Sequence, residues 1–124
     1  MAGERVLVID DNAVNRRLAQ VLLHSRGYEV CEAASAPEAF AMLREKPPHI
    51  ILMDLRLPGM DGLTATRTLK ADPATRDIPI VAVTSYAMKG DKETAREAGC
   101  CAYVTKPLDK AFFLETVARV LGKT

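Results

Sequence analysis

Short apolar runs and longer amphipathic stretches alternate along the chain. Val6-Leu7-Val8-Ile9, Ile50-Ile51-Leu52-Met53 and Ile80-Val81-Ala82-Val83 are apolar at every position. Runs this short, without the alternation of a half-exposed strand, fit strands buried on both faces of a parallel sheet. Weaker strand signals lie at Tyr28 to Glu32 and at Ala102 to Val104. Between them, apolar residues recur at helical spacing: Val14, Leu18, Val21 and Leu22, then Ala36, Ala39, Phe40 and Leu43, and finally Phe113, Val117 and Val120. Each set predicts an amphipathic helix whose apolar stripe meets the core.

The breaks between these segments agree. Gly27 and Gly99 stand where helices should end and offer left-handed caps. Pro47-Pro48, Pro58-Gly59 and Pro73 mark loops, and Pro79 suits the first position of a strand. The prediction is an α/β fold, (βα)5, with a parallel five-stranded sheet and helices on both faces. It occupies residues 1–124 as one domain, without linker or repeat. The helix around Glu93 to Ala98 is different: it is rich in Lys89, Asp91, Lys92, Glu93, Arg96 and Glu97, with few apolar anchors beyond Met88, Ala95 and Ala98. A helix that buries so little is either one of the easier segments to move or an ordinary surface helix of a small domain.

Composition narrows the function classes. Seventeen basic and sixteen acidic side chains leave a formal charge of +1 over 124 residues, which argues against a nucleic-acid or membrane surface driven by bulk charge. The three cysteines, Cys31, Cys100 and Cys101, form neither a metal-type pair nor a disulfide framework. They read as small apolar thiols in or near the core of a cytoplasmic protein. No apolar run approaches the ~20 residues of a membrane span, and the acidic Asp10-Asp11 close behind the N-terminus argues against a signal peptide. His24 and His49 have no ligand-spaced neighbour and read as surface residues, while Met42, Met53, Met60 and Met88 read as packing.

Candidate chemistry follows from the predicted topology. Open parallel sheets bind ligands beyond the carboxyl ends of their strands. Just past those ends stand Asp10, Asp11 and Asn12, then Asp54, then Thr84 and Ser85, then Lys106-Pro107. One of Asp10, Asp11 and Asn12 is expected to cap the first helix, and each of the others has an ordinary role when taken singly. Their convergence on one edge is less ordinary. Three clustered carboxylates repel unless a cation joins them, and oxygen-only donors with open positions suit Mg²⁺. Three aspartates, one divalent cation and Lys106 sum to zero charge. A phosphoryl group on Asp54 would then meet metal, ammonium and hydroxyl, which is most of what phosphoryl transfer asks of a protein.

With these residues in view, the chain resembles the receiver domains of two-component response regulators over essentially its whole length. The likeness rests on Val8-Ile9-Asp10-Asp11-Asn12, on Leu52-Met53-Asp54 through Asp61-Gly62, on Pro79 through Thr84, and on Tyr103-Val104-Thr105-Lys106-Pro107. The stretch from Ala82 to Asp91 is similar to the single-domain DivK-type cell-division regulators. Asp11-Asn12 followed by Asn15-Arg16-Arg17 is similar to the receivers of hybrid histidine kinases. Cys101 stands where an acidic residue is often found.

The resemblance implies a doubly wound, flavodoxin-like sheet in the order 2-1-3-4-5. It implies Asp54 as phosphoacceptor, with Mg²⁺ held by Asp10, Asp11, Asp54 and the backbone carbonyl of Arg56. Thr84 and Lys106 would contact the phosphoryl oxygens, the Lys106–Pro107 peptide would be cis, and Thr84 and Tyr103 would form the switch. From their position flanking the attack path, Arg56 and Tyr86 are expected to tune the lifetime of the phosphorylated state. A histidine kinase or histidine phosphotransfer protein would dock near the first helix. A downstream protein would read the face of the fourth helix, fifth strand and fifth helix, with the chain a monomer or weak dimer. It would catalyse only its own phosphorylation and dephosphorylation.

Three rival readings fit the residues less well. A haloacid-dehalogenase-like phosphohydrolase should carry an Asp-x-Asp pair, whereas Asp10 and Asp11 are adjacent. A flavodoxin-like cofactor binder should offer a phosphate loop, and Asp10-Asp11 would repel a flavin phosphate. A phosphorylation-independent scaffold would not need every reactive position filled.

Overall fold

The computed structural model describes residues 3–57, 59–85 and 90–122. Strands and helices alternate strictly: β1 (Arg5–Ile9), α1 (Ala13–His24), β2 (Glu29–Ala33), α2 (Ala36–Glu45), β3 (Ile50–Asp54), α3 (Gly62–Ala71), β4 (Ile80–Thr84), α4 (Asp91–Ala98), β5 (Ala102–Thr105) and α5 (Lys110–Val120). All strand pairs are parallel, and the sheet order is β2-β1-β3-β4-β5. This is the expected fold class.

The apolar strand runs are explained by what lies on each side. Leu7, Ile9, Ile51, Met53, Ile80 and Ala82 face a core shared with α2, α3 and α4. Val6, Val8, Ile50, Leu52, Val81 and Val83 face a second core, closed by Ala19, Leu23, Phe113, Leu114 and Val117 from α1 and α5. Successive residues of a strand point to opposite faces, so double-sided burial leaves residues 6–9, 50–53 and 80–83 without a polar side chain. The edge strands β2 and β5 are only half-buried.

Side chains start most helices. Asn12 caps α1, accepting from the Val14 and Asn15 amides at 2.9 and 3.0 Å. Ser35 caps α2, and Glu38 reaches back to the Ala34 amide at 2.9 Å, a reciprocal box. Asp61 and Asp109 cap α3 and α5. By contrast, α4 begins at Gly90 with no side-chain cap and buries only Ala95 and Ala98. It ends at Gly99, whose φ of 119° lies in the left-handed region.

Two expectations need correction. The stripe Val14, Leu18 and Val21 does not meet the core: these residues are 76%, 42% and 56% exposed, while Ala19 and Leu23 are the buried residues of α1. The helix has apolar residues on two faces, and the small Ala19 lets its backbone lie close to the sheet. Cys101 is exposed at the start of the edge strand β5, whereas Cys100 is buried and Cys31 half-buried. The histidines are exposed as expected, and the His49 Nδ1 accepts from the Arg5 amide at 2.9 Å. Met88 lies outside the described residues. No described helix is long and apolar enough to cross a membrane.

Candidate functional site

Every strand of the parallel sheet points the same way, so its carboxyl ends share one edge. β1 delivers Asp10 there, β3 ends at Asp54, β4 ends at Thr84, and the turn after β5 brings Lys106. Asp10, Asp54 and Thr84 are buried, at 5%, 4% and 1% exposure. Asp11, by contrast, is exposed.

The carboxylates of Asp10, Asp11 and Asp54 place oxygens within 4.8 Å of one another. Two full charges at that separation repel by about 3 kcal/mol at an effective dielectric near 20. Lys106 answers part of that repulsion: its Nζ donates to Asp10 Oδ2 at 2.7 Å and to Asp54 Oδ2 at 3.3 Å. One ammonium against three carboxylates still leaves a formal charge of −2. The donor set is oxygen-only and lies partly open at Asp11, which fits a hard divalent cation such as Mg²⁺.

Each member is held by its local backbone. Asp10 Oδ1 accepts from the Asn12 amide at 2.9 Å, and Asp54 Oδ1 accepts from the Arg56 amide at 3.0 Å. Both are short Asx-type bonds that turn the chain away from its strand. The Lys106 amide donates to the Thr84 carbonyl at 2.8 Å, tying the β5 turn to the end of β4. The Lys106–Pro107 peptide is cis. Gly62, the first residue of α3, packs against the backbone beneath Asp54: a Cβ there would lie 2.2 Å from the Asp54 carbonyl oxygen.

Burial, and secondarily the Asp10 charge, pushes the Asp54 carboxyl above the ordinary carboxylate range, against the opposing pull of the Arg56 amide and Lys106. A small cavity of about 70 Å³ adjoins the cluster, lined by apolar Val8, Leu52, Val83 and Phe113 as well as by Asp10, Asp54 and Lys106. The apolar wall keeps the dielectric low and makes the charged groups matter more to one another.

The structure therefore brings together Asp10, Asp11, Asp54 and Lys106, with Thr84 at the adjacent strand end and the Arg56 backbone on the rim. Tyr103 lies farther along β5, in register with Ala82, half-buried against the core under α4. Burial and the nearby Asp91 raise its phenol above the usual value. Tyr86 falls outside the described residues. Reading the sequence missed Arg16, which donates from Nη1 to the Asp10 carbonyl at 2.6 Å and from Nε to Glu32 at 3.1 Å. Nothing in the local pattern marks an arginine one turn into a helix as a partner of the first strand's end.

The chain matches the response regulator receiver domain family over residues 6–118. It is 44% identical over 117 residues to the polar-differentiation response regulator DivK of Brucella ovis, covering 94% of this chain and 95% of that protein. Among solved structures it is similar to the receiver domain of a sensor histidine kinase from Pseudomonas aeruginosa PAO1, which has a magnesium ion coordinated in its active site cleft. That match has a TM-score of 0.88 and 36% identity, and covers 98% and 99% of the two chains. The chemotaxis protein CheY4 of Vibrio cholerae superposes with a TM-score of 0.89 at 27% identity, covering 96% and 99%.

Proposed function

Because the chain belongs to the response regulator receiver domain family, we propose that Asp54 is the residue on which it accepts a phosphoryl group. The observation that carries this reading is the gathering of three carboxylates and one ammonium from the ends of β1, β3 and β5. Lys106 approaches both buried carboxylates, Asp10 and Asp54, and Asp54 is the one that ends β3, the middle strand of the sheet.

In this reading a carboxylate oxygen of Asp54 attacks the phosphorus of a phosphohistidine. The P–N bond breaks, the imidazole leaves, and an acyl phosphate remains. Lys106, 3.3 Å from Asp54 Oδ2, meets an oxygen of the transferred group, and the Thr84 hydroxyl takes another. Asp10, Asp11, Asp54 and the Arg56 carbonyl would hold Mg²⁺, which supplies positive charge against the phosphoryl oxygens when bound. Hydrolysis of the acyl phosphate returns the carboxylate, so the chain catalyses only its own modification.

Receivers of this family work between a histidine kinase or phosphotransfer protein and a downstream target. For this chain the exposed Val14, Leu18 and Val21, rising on α1 from the acidic edge, support α1 as the donor's docking face. Thr84 and Tyr103 form the switch that alters the α4–β5–α5 face for the target. A few kcal/mol of differential interaction is enough to shift such a two-state face. A cytoplasmic location belongs to the same reading and agrees with three free thiols.

Intact mass after incubation with acetyl phosphate and Mg²⁺ tests the proposal. One phosphoryl group is expected, absent with chelator and absent in Asp54→Asn. Unmodified protein under conditions where Mg²⁺ binding is demonstrated would favour a phosphorylation-independent scaffold.

A further inference from the structure

Asp10 is engaged at every polar atom. Its amide donates to the Ala33 carbonyl at 3.1 Å, and its carboxylate accepts from the Asn12 amide at 2.9 Å and from Lys106 at 2.7 Å. Its carbonyl, which belongs to the peptide leading into Asp11, accepts from Arg16 Nη1 at 2.6 Å. Arg16 is itself fixed twice. Its amide donates to the Asn12 carbonyl in the first turn of α1, and its Nε meets Glu32 Oε1 at 3.1 Å. Glu32 lies on β2 directly beside Val8, and the next β2 residue, Ala33, receives the Asp10 amide. The arginine side chain is only 18% exposed.

One guanidinium thus spans two acceptors from two elements, with one donor aimed at the peptide that carries Asp11. We propose that Arg16, oriented by Glu32, is a positioning residue of the acidic centre: it fixes the Asp10–Asp11 peptide and thereby the Asp11 carboxylate for cation binding. The inference rests on the reading of Asp10 and Asp11 as Mg²⁺ ligands. Planarity makes the residue an arginine: a guanidinium offers several donors in a rigid fork, whereas a lysine is a single point that must choose between Glu32 and the carbonyl. Asp11 itself is exposed, so the order it has must come through its backbone. Groups that orient metal ligands without touching the metal typically change affinity by about 10–100-fold when removed.

The test is Mg²⁺ titration by calorimetry on the wild type, Arg16→Met, Arg16→Lys and Glu32→Gln, with thermal midpoints measured in chelator. Arg16→Met is expected to weaken Mg²⁺ binding by roughly tenfold or more. The Mg²⁺ concentration for half-maximal modification by acetyl phosphate should rise by the same factor. Arg16→Lys should fail to restore affinity, and Glu32→Gln should give a smaller loss of the same sign. Glu32→Gln keeps the test decisive should Arg16→Met not fold. Mg²⁺ affinities within twofold of the wild type, with only the thermal midpoint lowered, would overturn the inference and leave the pair as a tie between α1 and β2. A wild type that neither binds Mg²⁺ nor accepts phosphoryl would overturn the receiver reading as well, so the two failures are distinct.

Discussion

Asp54 is a carboxylate whose ionisation the fold opposes when no cation is bound. Burial is the larger cause and Asp10 adds to it, so the native group titrates above its unfolded-chain value. Between those two values the folded protein binds more protons than the unfolded one, and stability therefore falls as pH rises through that window. Above that window the carboxylate is ionised and weakens the Mg²⁺-free fold. Asp54→Asn is expected to raise the thermal midpoint in chelator above the window by a few degrees, with the gain shrinking as pH is lowered through it. Scanning calorimetry across that range measures it; a lower midpoint above the window would mean that the lost Lys106–Asp54 pair outweighs the relief. Gly62 acts through contact alone. A Cβ there would meet the Asp54 carbonyl oxygen at 2.2 Å and the Leu55 Cα at 2.7 Å, both backbone atoms that cannot rotate away. Gly62→Ala should cost about 1–3 kcal/mol in urea unfolding. Because the colliding atom belongs to Asp54, the proposed phosphoacceptor, it should also slow modification of that residue. In the sequence Gly62 is one more loop glycine, and the carbonyl it must clear becomes visible only when α3 is packed under β3.

At the scale of elements, the strands were the most legible parts and the first helix the least. A strand covered on both faces has no polar position, so Ile50 to Met53 can be recognised without knowing its neighbours. Helix α1 carries apolar residues on two faces, and periodicity alone cannot say which one the sheet takes. Ala19 and Leu23 are taken, leaving Val14, Leu18 and Val21 in solvent. Single exposed apolar residues are common; three along one ridge beside the acidic edge suit a docking face. Val21 is the one farthest along the helix from Asp11, so a charge there should disturb the acidic centre least. Val21→Asp is expected to keep thermal stability within about 0.5 kcal/mol and to slow transfer from a phosphorylated histidine phosphotransfer domain by roughly tenfold, equivalent to ~1.4 kcal/mol. Equal loss of modification by acetyl phosphate would show instead that the change reaches the site. For α4 the scarcity of anchors was readable, because its sequence has little to bury. With Ala95 and Ala98 its only buried residues and no side-chain cap at Gly90, its amides should exchange with deuterium faster than those of α3 by at least about tenfold. The comparison is fair because α3 buries Ala65, Thr66 and Leu69 and is capped by Asp61.

For the molecule as a whole, one sheet separates two apolar cores and collects its buried carboxylates, Asp10 and Asp54, at one rim. Alternation of runs and helices was enough to imply that arrangement, and the order of residues after each strand was enough to imply the rim. The ties of Arg16 to Glu32 and to the Asp10 carbonyl were not implied and exist only once the sheet has formed, whereas the meeting of Lys106 with Asp10 across 96 positions of chain follows from the shared edge. The rim's formal charge of −2 acts on the whole fold, because relieving it requires either a cation or loss of the strand ends that hold the carboxylates together. A divalent cation that binds only the assembled rim stabilises the native state by mass action, about 2.7 kcal/mol at one hundred times its dissociation constant. For a domain of this size that corresponds to a rise in the thermal midpoint on the order of 10 °C. Chelator should remove the gain, Na⁺ at equal ionic strength should not reproduce it, and acid should diminish it as protons compete for the same carboxylates. Asp11→Asn should reduce it while leaving the apolar cores intact. A midpoint indifferent to Mg²⁺ up to saturating concentrations would separate the acidic rim from metal binding, since a ligand confined to the folded state cannot bind without stabilising it.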